Sequence, residues 1–428
     1  MNPVMNDVHP VGIVVNDDLR RSRLTVFFRL LLVIPHVIWV LLWSVLVVLL
    51  ALVAWVLTLV LGRLPVWLHG FFCSYIRYVA HVAAYITLVA NPFPFFTGAE
   101  GSYPVDIRLP SAPVRQGRWR TLFRSFLSVP AVLMSSPVGG GGVVGTGFLY
   151  RGFGLSGFVG FLGWFASVVR GRMPEGLRDA GAYAIGYRAQ LLAYVLFVTD
   201  RYPNTDPSVV LEGLVAPPLH PVRLAAEPDD LRRSRVTALF RLPLLIPHLV
   251  WLYLWSVLVD LVVIVQWFVT LVRGRPIGKL HAFVSRYVRY SFHVAAFGTL
   301  TANPFPGFTG RPGSYPLDLV LPDAGRQSRW KTLFRFLLAL PTFFVLSALY
   351  GIVLFDAILV WVTSLVLGRS PRGLRNLSAY CLRYGAQVSA YIFLLTDAYP
   401  NACPLEGSDP PVEAPAEPES VEPAEQAA

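Results

Sequence analysis

The chain has 428 residues, 55% of them hydrophobic and 14% charged, and a mean hydropathy of +0.56. An ordinary soluble protein of this length does not repeat apolar runs of membrane length, as this one does. The net charge of +11 sits beside those runs, which points to membrane topology and anionic lipid and away from nucleic acid.

Residues 1–18 form a polar N-terminal segment with a strand-like stretch, His9-Pro10-Val11, and lack a signal peptide's apolar region. The first membrane helix is therefore expected to act as an uncleaved signal anchor. Four repeat units follow, at 19–110, 111–216, 217–322 and 323–403. Each carries Phe-Arg and a Pro six residues after the Arg: Phe28-Arg29 with Pro35, Phe123-Arg124 with Pro130, Phe240-Arg241 with Pro247, and Phe334-Arg335 with Pro341. Units one and three match at a constant offset, as do Asn91-Pro92-Phe93-Pro94 and Asn303-Pro304-Phe305-Pro306. Arg118 to Arg124 likewise matches Arg329 to Arg335, so the order is A-B-A-B.

Within each unit a short strand-like segment comes first, with Pro at its start and alternating apolar residues, as in Tyr103-Pro104-Val105-Asp106-Ile107. A basic segment with aromatic and Leu residues is next, then a long apolar helix. Val37 to Leu61 carries no charge, and its roughly 25 residues reach about 37 Å, enough for a hydrocarbon core of about 30 Å. A Gly-Arg turn with Pro stops each such helix, as in Gly62-Arg63-Leu64-Pro65. A second, less apolar helix containing Arg completes the unit. Unit two adds a Gly-rich insertion around Gly139-Gly140-Gly141-Gly142, without the strand, helix and Lys of a phosphate-cradling loop. Residues 404–428 form an acidic, Pro-rich tail, expected to be disordered.

These features predict an all-α polytopic membrane protein with about eight transmembrane helices in two duplicated halves. The strand-like segments would lie on one membrane face, and the Arg excess places that face and both termini in the cytoplasm. A rival topology keeps the second helix of each unit flat in the interface.

The polar residues of the second helices are the main candidate site. Arg77 and His81 are four apart and share a helix face, and Arg289 and His293 repeat the pair. Gln190 and Gln387 replace the His in units two and four, with Arg188 and Arg383 nearby. Charges inside a bilayer normally face protein or a water-filled cavity, so these helices could line an anion or proton path or simply pair within the bundle. Asp260 invites an ion pair with Arg289, and Asp356 is a further carboxyl in a long helix. Arg118, Arg120, Arg329 and Lys331, beside Trp119 and Trp330, are candidate anionic-lipid contacts. Cys73, Cys381 and Cys403 have no CxxC spacing, so neither a disulfide framework nor a metal site is expected. No nucleophile elbow, metal pair or dinucleotide fingerprint is present, and no enzyme activity or cofactor is expected.

The Gly-Arg-x-Pro turn, Leu374, Arg383-Tyr384 and the ending Thr396-Asp397-Ala398-Tyr399-Pro400 resemble the bacterial integral-membrane family catalogued as domain of unknown function 4389, in tandem copies. Unit two matches well through Thr199-Asp200-Arg201-Tyr202-Pro203, whereas units one and three depart with Ala-Asn-Pro-Phe-Pro. The resemblance implies a multi-pass protein of the bacterial inner membrane and brings no activity or catalytic residue. The leading expectation is a noncatalytic membrane-organising or accessory protein that engages anionic lipid, with a possible protein partner at the cytoplasmic face. The alternative is a channel or transporter with an Arg/His-lined path.

Overall fold

A computed structural model describes residues 8–139 and 154–408. The Gly-rich stretch from 140, Arg151 and the tail from 409 lie outside the described residues. Unit one contains β1 (Gly12–Val15), α1 (Arg23–Phe27), α2 (Arg29–Leu32), α3 (Ile34–Leu61) and α4 (Val66–Ile86). Unit two contains β2 (Val105–Arg108), α5 (Arg118–Leu122), α6 (Arg124–Gly139), α7 (Leu155–Arg170) and α8 (Glu175–Val195), followed by α9 (Pro207–Val210). Unit three contains β3 (Arg223–Ala226), α10 (Arg235–Leu239), α11 (Arg241–Arg273) and α12 (Gly278–Gly298). Unit four contains β4 (Leu317–Val320), α13 (Arg329–Leu333), α14 (Arg335–Leu367) and α15 (Arg372–Ile392).

Three helical stretches among the described residues are long and apolar enough to cross a membrane: Arg29–Leu61, Arg241–Arg273 and Arg335–Leu367. The expected eight crossings are not confirmed; these three stretches are what the length and composition of the described helices support. The second helices α4, α8, α12 and α15 carry Arg, His or Gln; α4, α8 and α15 are buried over most of their residues and α12 over about half, so their sequences follow a protein interior more than a lipid-facing surface. In unit two the first helix is described as two pieces, α6 with Pro130 and Pro137 inside it and the shorter apolar α7.

Gly stops each long helix by turning left-handed. Gly62, Gly171, Gly274 and Gly368 have φ of +70, +68, +68 and +67°, a region that costs a residue with Cβ more than it costs Gly. Their amides donate to Thr58, Ser167, Thr270 and Ser364, one turn back. Their carbonyls are taken by the neighbouring unit of the same half. The amides of Gln116 and Arg21 donate to Gly62 and Gly171, and those of Gln327 and Arg233 to Gly274 and Gly368, each at 2.9 Å.

This exchange sets the arrangement. The C-terminal end of α3 meets the C-terminal end of α8, because Gln116 also donates through its side chain to the Phe197 carbonyl. The end of α7 meets the end of α4, because Arg21 reaches the Leu88 carbonyl at 2.8 Å. Helices α4 and α8 are therefore antiparallel partners, as are α12 and α15 in the second half. Small residues in register, Ala80 and Ala84 on α4 and Ala189 and Ala193 on α8, are all buried in the shared core.

The strands pair within each half. β1 and β2 are antiparallel with Gly12 opposite Arg108 and Val15 opposite Val105, and β3 and β4 repeat the register with Arg223 opposite Val320. The result is two separate two-stranded ribbons instead of one four-stranded sheet. The halves meet through their even units: Phe344 of α14 packs on Phe158 and Phe161 of α7, with ring centroids 5.8 Å apart in both contacts. Asn376 of α15 donates to Asp206 at 2.6 Å across the same junction.

Candidate functional site

The candidate polar residues of the second helices face the ribbons. Arg77 on α4 donates to the Ile107 carbonyl of β2 at 3.2 Å and to Glu100 at 2.7 Å. One turn on, His81 Nε2 donates to Asp106 Oδ1 at 3.0 Å. The third unit repeats this chemistry: Arg289 lies 3.3 Å from Asp318, and His293 Nε2 donates to Asp318 at 2.7 Å. Burial would raise the Asp106 carboxyl, but hydrogen bonds from His81 and from the Gly101 and Ile107 amides outweigh it and hold the group below its ordinary value. Asp318 is lowered against the same burial by His293, Gly313 and Leu319.

In the even units Gln does the work of His. Gln190 donates to the Val11 carbonyl at 3.0 Å and accepts from the Asn204 amide at 2.9 Å. Gln387 donates to Val222 at 3.1 Å and accepts from Asn401 at 3.0 Å. Neutral Gln suits this position because it must both donate and accept. Arg383 spends Nη2 on the carbonyls of Cys403, Pro404 and Leu405, at 2.7, 3.1 and 3.0 Å. It lines a cleft of about 210 Å³ with His220, Gln387, Asn401, Cys403 and Glu406. The corresponding place on α8 is Gly186, where an added Cβ would lie 2.8 Å from Val210 and 3.2 Å from Ile13.

Arg77, His81 and Gln190 thus meet the first ribbon or the segment leading into it, and Arg289, His293 and Gln387 the second. Arg188 sits on α8 with its pKa lowered by burial and partly restored by Tyr75. The expected Asp260–Arg289 pair is corrected: Arg289 pairs with Asp318, and Asp260 is exposed on α11. A ribbon carboxylate and the Leu319 carbonyl take up that guanidinium. Asp356 is buried and accepts from Ser378 at 2.5 Å.

A second set of residues stands out only in the structure. The Arg of each Phe-Arg pair is buried and caps the C-terminal end of its own second helix. Arg29, Arg124, Arg241 and Arg335 lie over the rings of Tyr85, Tyr194, Phe297 and Tyr391, with centroid distances of 4.3, 4.5, 4.1 and 4.7 Å. Their guanidinium groups donate to helix-end carbonyls, among them Ala90, Thr199, Ala302 and Thr396. Asp200 and Asp397 pair with the Arg of units two and four at 2.9 and 2.5 Å, and in unit one the Asn91 side chain accepts instead at 2.9 Å. Beside this cap, Leu88, Phe197, Leu300 and Leu394 hold φ of +62, +61, +60 and +61°. Arg21, Gln116, Arg233 and Gln327 bind the carbonyls of those four residues. The readable signal is an Arg kept at one register in all four units; its burial could not be read from composition.

The lipid candidates lie at the surface. Arg118, Arg120, Arg329 and Lys331 are exposed, and Trp119 and Trp330 are 76% and 73% exposed, each stacked on the Phe four residues later. Arg120 also pairs with Asp200 at 3.1 Å.

Fold and surface together define a helical tandem-repeat protein with, among the described residues, three helices long and apolar enough to cross a membrane. A family model described as a domain of unknown function, DUF4389, matches residues 23–98, 152–205, 235–309 and 329–403, and the chain belongs to that family in four tandem copies. No curated protein and no solved structure matches the chain.

Proposed function

We propose that the protein is a noncatalytic membrane-organising or accessory protein that engages anionic lipid through its basic aromatic segments. The observation that carries this reading is the exposed pairing of cation and indole at Arg118-Trp119-Arg120 and Arg329-Trp330-Lys331, next to long helices whose outer faces are apolar. Trp suits the headgroup level, and each Lys or Arg near an anionic surface contributes about 1 kcal/mol. The membrane we favour is the bacterial inner membrane, with ribbons and termini toward the cytoplasm, where a protein partner could dock on the ribbon face. The alternative of an Arg/His-lined channel is less favoured, because Arg77, His81, Arg289 and His293 are engaged by Asp106, Glu100 and Asp318.

The test is binding of a fluorescent phosphatidylglycerol to the detergent-purified chain. Changing Arg118, Arg120, Arg329 and Lys331 together to Gln should weaken binding by roughly several hundred-fold, following about 1 kcal/mol per charge and about 1.4 kcal/mol per tenfold in affinity. Unchanged affinity, or equal affinity for a zwitterionic lipid, would remove the reading.

A further inference from the structure

Each end of the helix pair α4/α8 is joined to the other by two routes. One is helical: α3 leaves the C-terminal end of α4, where Arg29 donates to Ala90, and arrives at the C-terminal end of α8 through Gly62 and Gln116. The other is the ribbon strand. From the same end of α4, Tyr103 donates to Pro92 at 2.7 Å; the chain then runs back along α4 past His81 and Arg77, and reaches Gln116 at the far end. The second half repeats both routes, with Tyr315 on Pro304, His293 on Asp318, and Gln327 on Gly274 and Leu394.

The non-helical segment from Tyr103 to Gln116, which contains the four-residue ribbon strand, runs along the helix pair and shares its orientation. If the helices crossed a bilayer, the ribbon would cross it too. Each ribbon has only two strands; on the outer edges Ile107 and Leu319 are capped by Arg77, Arg289, Asp106 and Asp318, and the other outward backbone groups have no strand partner. Each such group costs several kcal/mol in hydrocarbon, and only helices and closed barrels escape that cost. The ribbon face also carries the exposed pair Arg108–Glu212 at 3.3 Å, together with Glu100, whose side chain is 76% exposed. Such charges belong in water.

We infer that the helix layer lies flat in a single leaflet, with the ribbons in water along their whole length and the long helices laid apolar side down among the acyl chains. The inference deepens the lipid-binding reading and rests on it. It commits the apolar face to one occupant, a leaflet containing anionic lipid, because exposed cation-indole segments open the long-helix stretches of the even units. Leu41, Val45, Leu49 and Val56 of α3 are all exposed, and α3 carries no charge. A helix in this seat needs an apolar outer face, a polar inner side and basic aromatic flanks. The 33-residue stretches Arg241–Arg273 and Arg335–Leu367 would be about 50 Å long if straight, more than a hydrocarbon core of about 30 Å requires.

The test uses the full chain in intact bacterial cells, with single cysteines introduced at exposed positions and a membrane-impermeant maleimide. Ser111→Cys and Ser314→Cys report the ribbon side, and Arg172→Cys, Arg275→Cys and Arg369→Cys report the Gly-Arg turns. The native cysteines are buried, so the unsubstituted chain is the blank. The seat predicts that all five respond alike: protected in intact cells and labelled on permeabilisation, or all labelled from outside. If Arg275→Cys and Arg369→Cys, which lie at opposite ends of the antiparallel pair α12/α15, respond oppositely, or if Arg172→Cys responds opposite to Ser111→Cys, the helices cross and the inference is overturned, while lipid binding by the rim can still stand. If the chain is recovered from the soluble fraction after lysis, both the seat and the lipid reading fall.

Discussion

Replacing Arg335 with Met isolates the buried guanidinium cap. Arg335 is 1% exposed, and its Nη1 donates to the carbonyls of Tyr391 and Thr396. Its Nη2 donates to Gln327 at 3.0 Å and Asp397 at 2.5 Å, and the group lies 4.7 Å from the Tyr391 ring centroid. Met fills similar volume but removes the guanidinium donor from two buried carbonyls, of which Tyr391 keeps a long 3.4 Å bond from the Leu394 amide, at about 1–3 kcal/mol each. Loss of the cation–π contact adds about 0.5–2 kcal/mol. Asp397 is about one-fifth exposed, so solvent screens it and it contributes less than a buried pair would. The terms are not additive, and a loss of about 4 kcal/mol is expected. At about 2–4 °C per kcal/mol for a unit the size of one half, the unfolding midpoint should fall by roughly 10 °C. The assay is thermal unfolding in detergent followed by circular dichroism. Arg335→Lys keeps the charge but not the fork, and should lose about half as much. Lys331→Met, at an exposed position four residues earlier, should stay within about 0.5 kcal/mol of the parent. A midpoint for Arg335→Met equal to that of Lys331→Met would refute the cap.

The ribbon carboxylates make stability depend on acid. Asp106 and Asp318 are held below their ordinary values in the fold, so their contribution is complete above about pH 4 and is lost as pH falls through the lowered values. Asp318→Asn should therefore lower the unfolding midpoint at pH 6, and the gap to the parent should narrow as pH falls below the ordinary carboxyl range; a gap that stays constant on acidification would contradict the assignment. Gly98 and Gly101 both have positive φ, but a Cβ at Gly98 would meet the Ser74 carbonyl oxygen at 2.1 Å, whereas one at Gly101 meets nothing within 4 Å. Gly98→Ala should cost several kcal/mol and Gly101→Ala about 1–2 kcal/mol in urea titrations, and equal losses would show that the close approach is not there. Gly310→Ala, facing the Arg286 carbonyl oxygen at 2.1 Å, should copy Gly98→Ala in unit three.

Much of the architecture is legible in the residues. The repeat follows from Phe-Arg and Pro at fixed spacing, the helix stops from Gly, and the strands from period-two alternation beside Pro. The polar face of the second helix is legible too, since Arg77 and His81 are one turn apart. What that face meets is not legible. A helical period says that two residues share a side; it does not say whether the side lines a path or holds a strand. The clue was Asp106 between Val105 and Ile107, repeated as Asp318 between Leu317 and Leu319, an acid at one register of two strand segments. An acid in a short strand reads as solvent-facing by default, and only the fold brings it to His81 and His293. The pairing of units was hidden for a related reason. Gln116 and Arg21 occupy one position of the repeat with different chemistry, yet each sends its amide to a glycine in the other unit and its side chain to a left-handed residue.

That exchange explains why the repeat comes in pairs. A single unit ends its long helix on a glycine carbonyl that needs an outside donor, and the donor is the segment just before the partner's first short helix. The partner needs the same service in return, and two units satisfy each other with nothing left over. The left-handed Leu88 and Phe197 fit this economy. Each costs about 1–2 kcal/mol as a residue with a Cβ in that region, and each turns its carbonyl outward to meet Arg21 or Gln116. Once units are locked in pairs, odd and even members are free to diverge on their outer sides. The even units lose His at the second-helix position and gain Gln, which binds the following Asn turn as well as the strand. They also carry the contacts that join the halves, through Phe158 and Phe344 and through Asn376 and Asp206. The odd units keep Arg with His on Asp and lie away from that junction. The A-B-A-B order is thus the order of a pair that closes on itself, duplicated, with the B members turned toward each other.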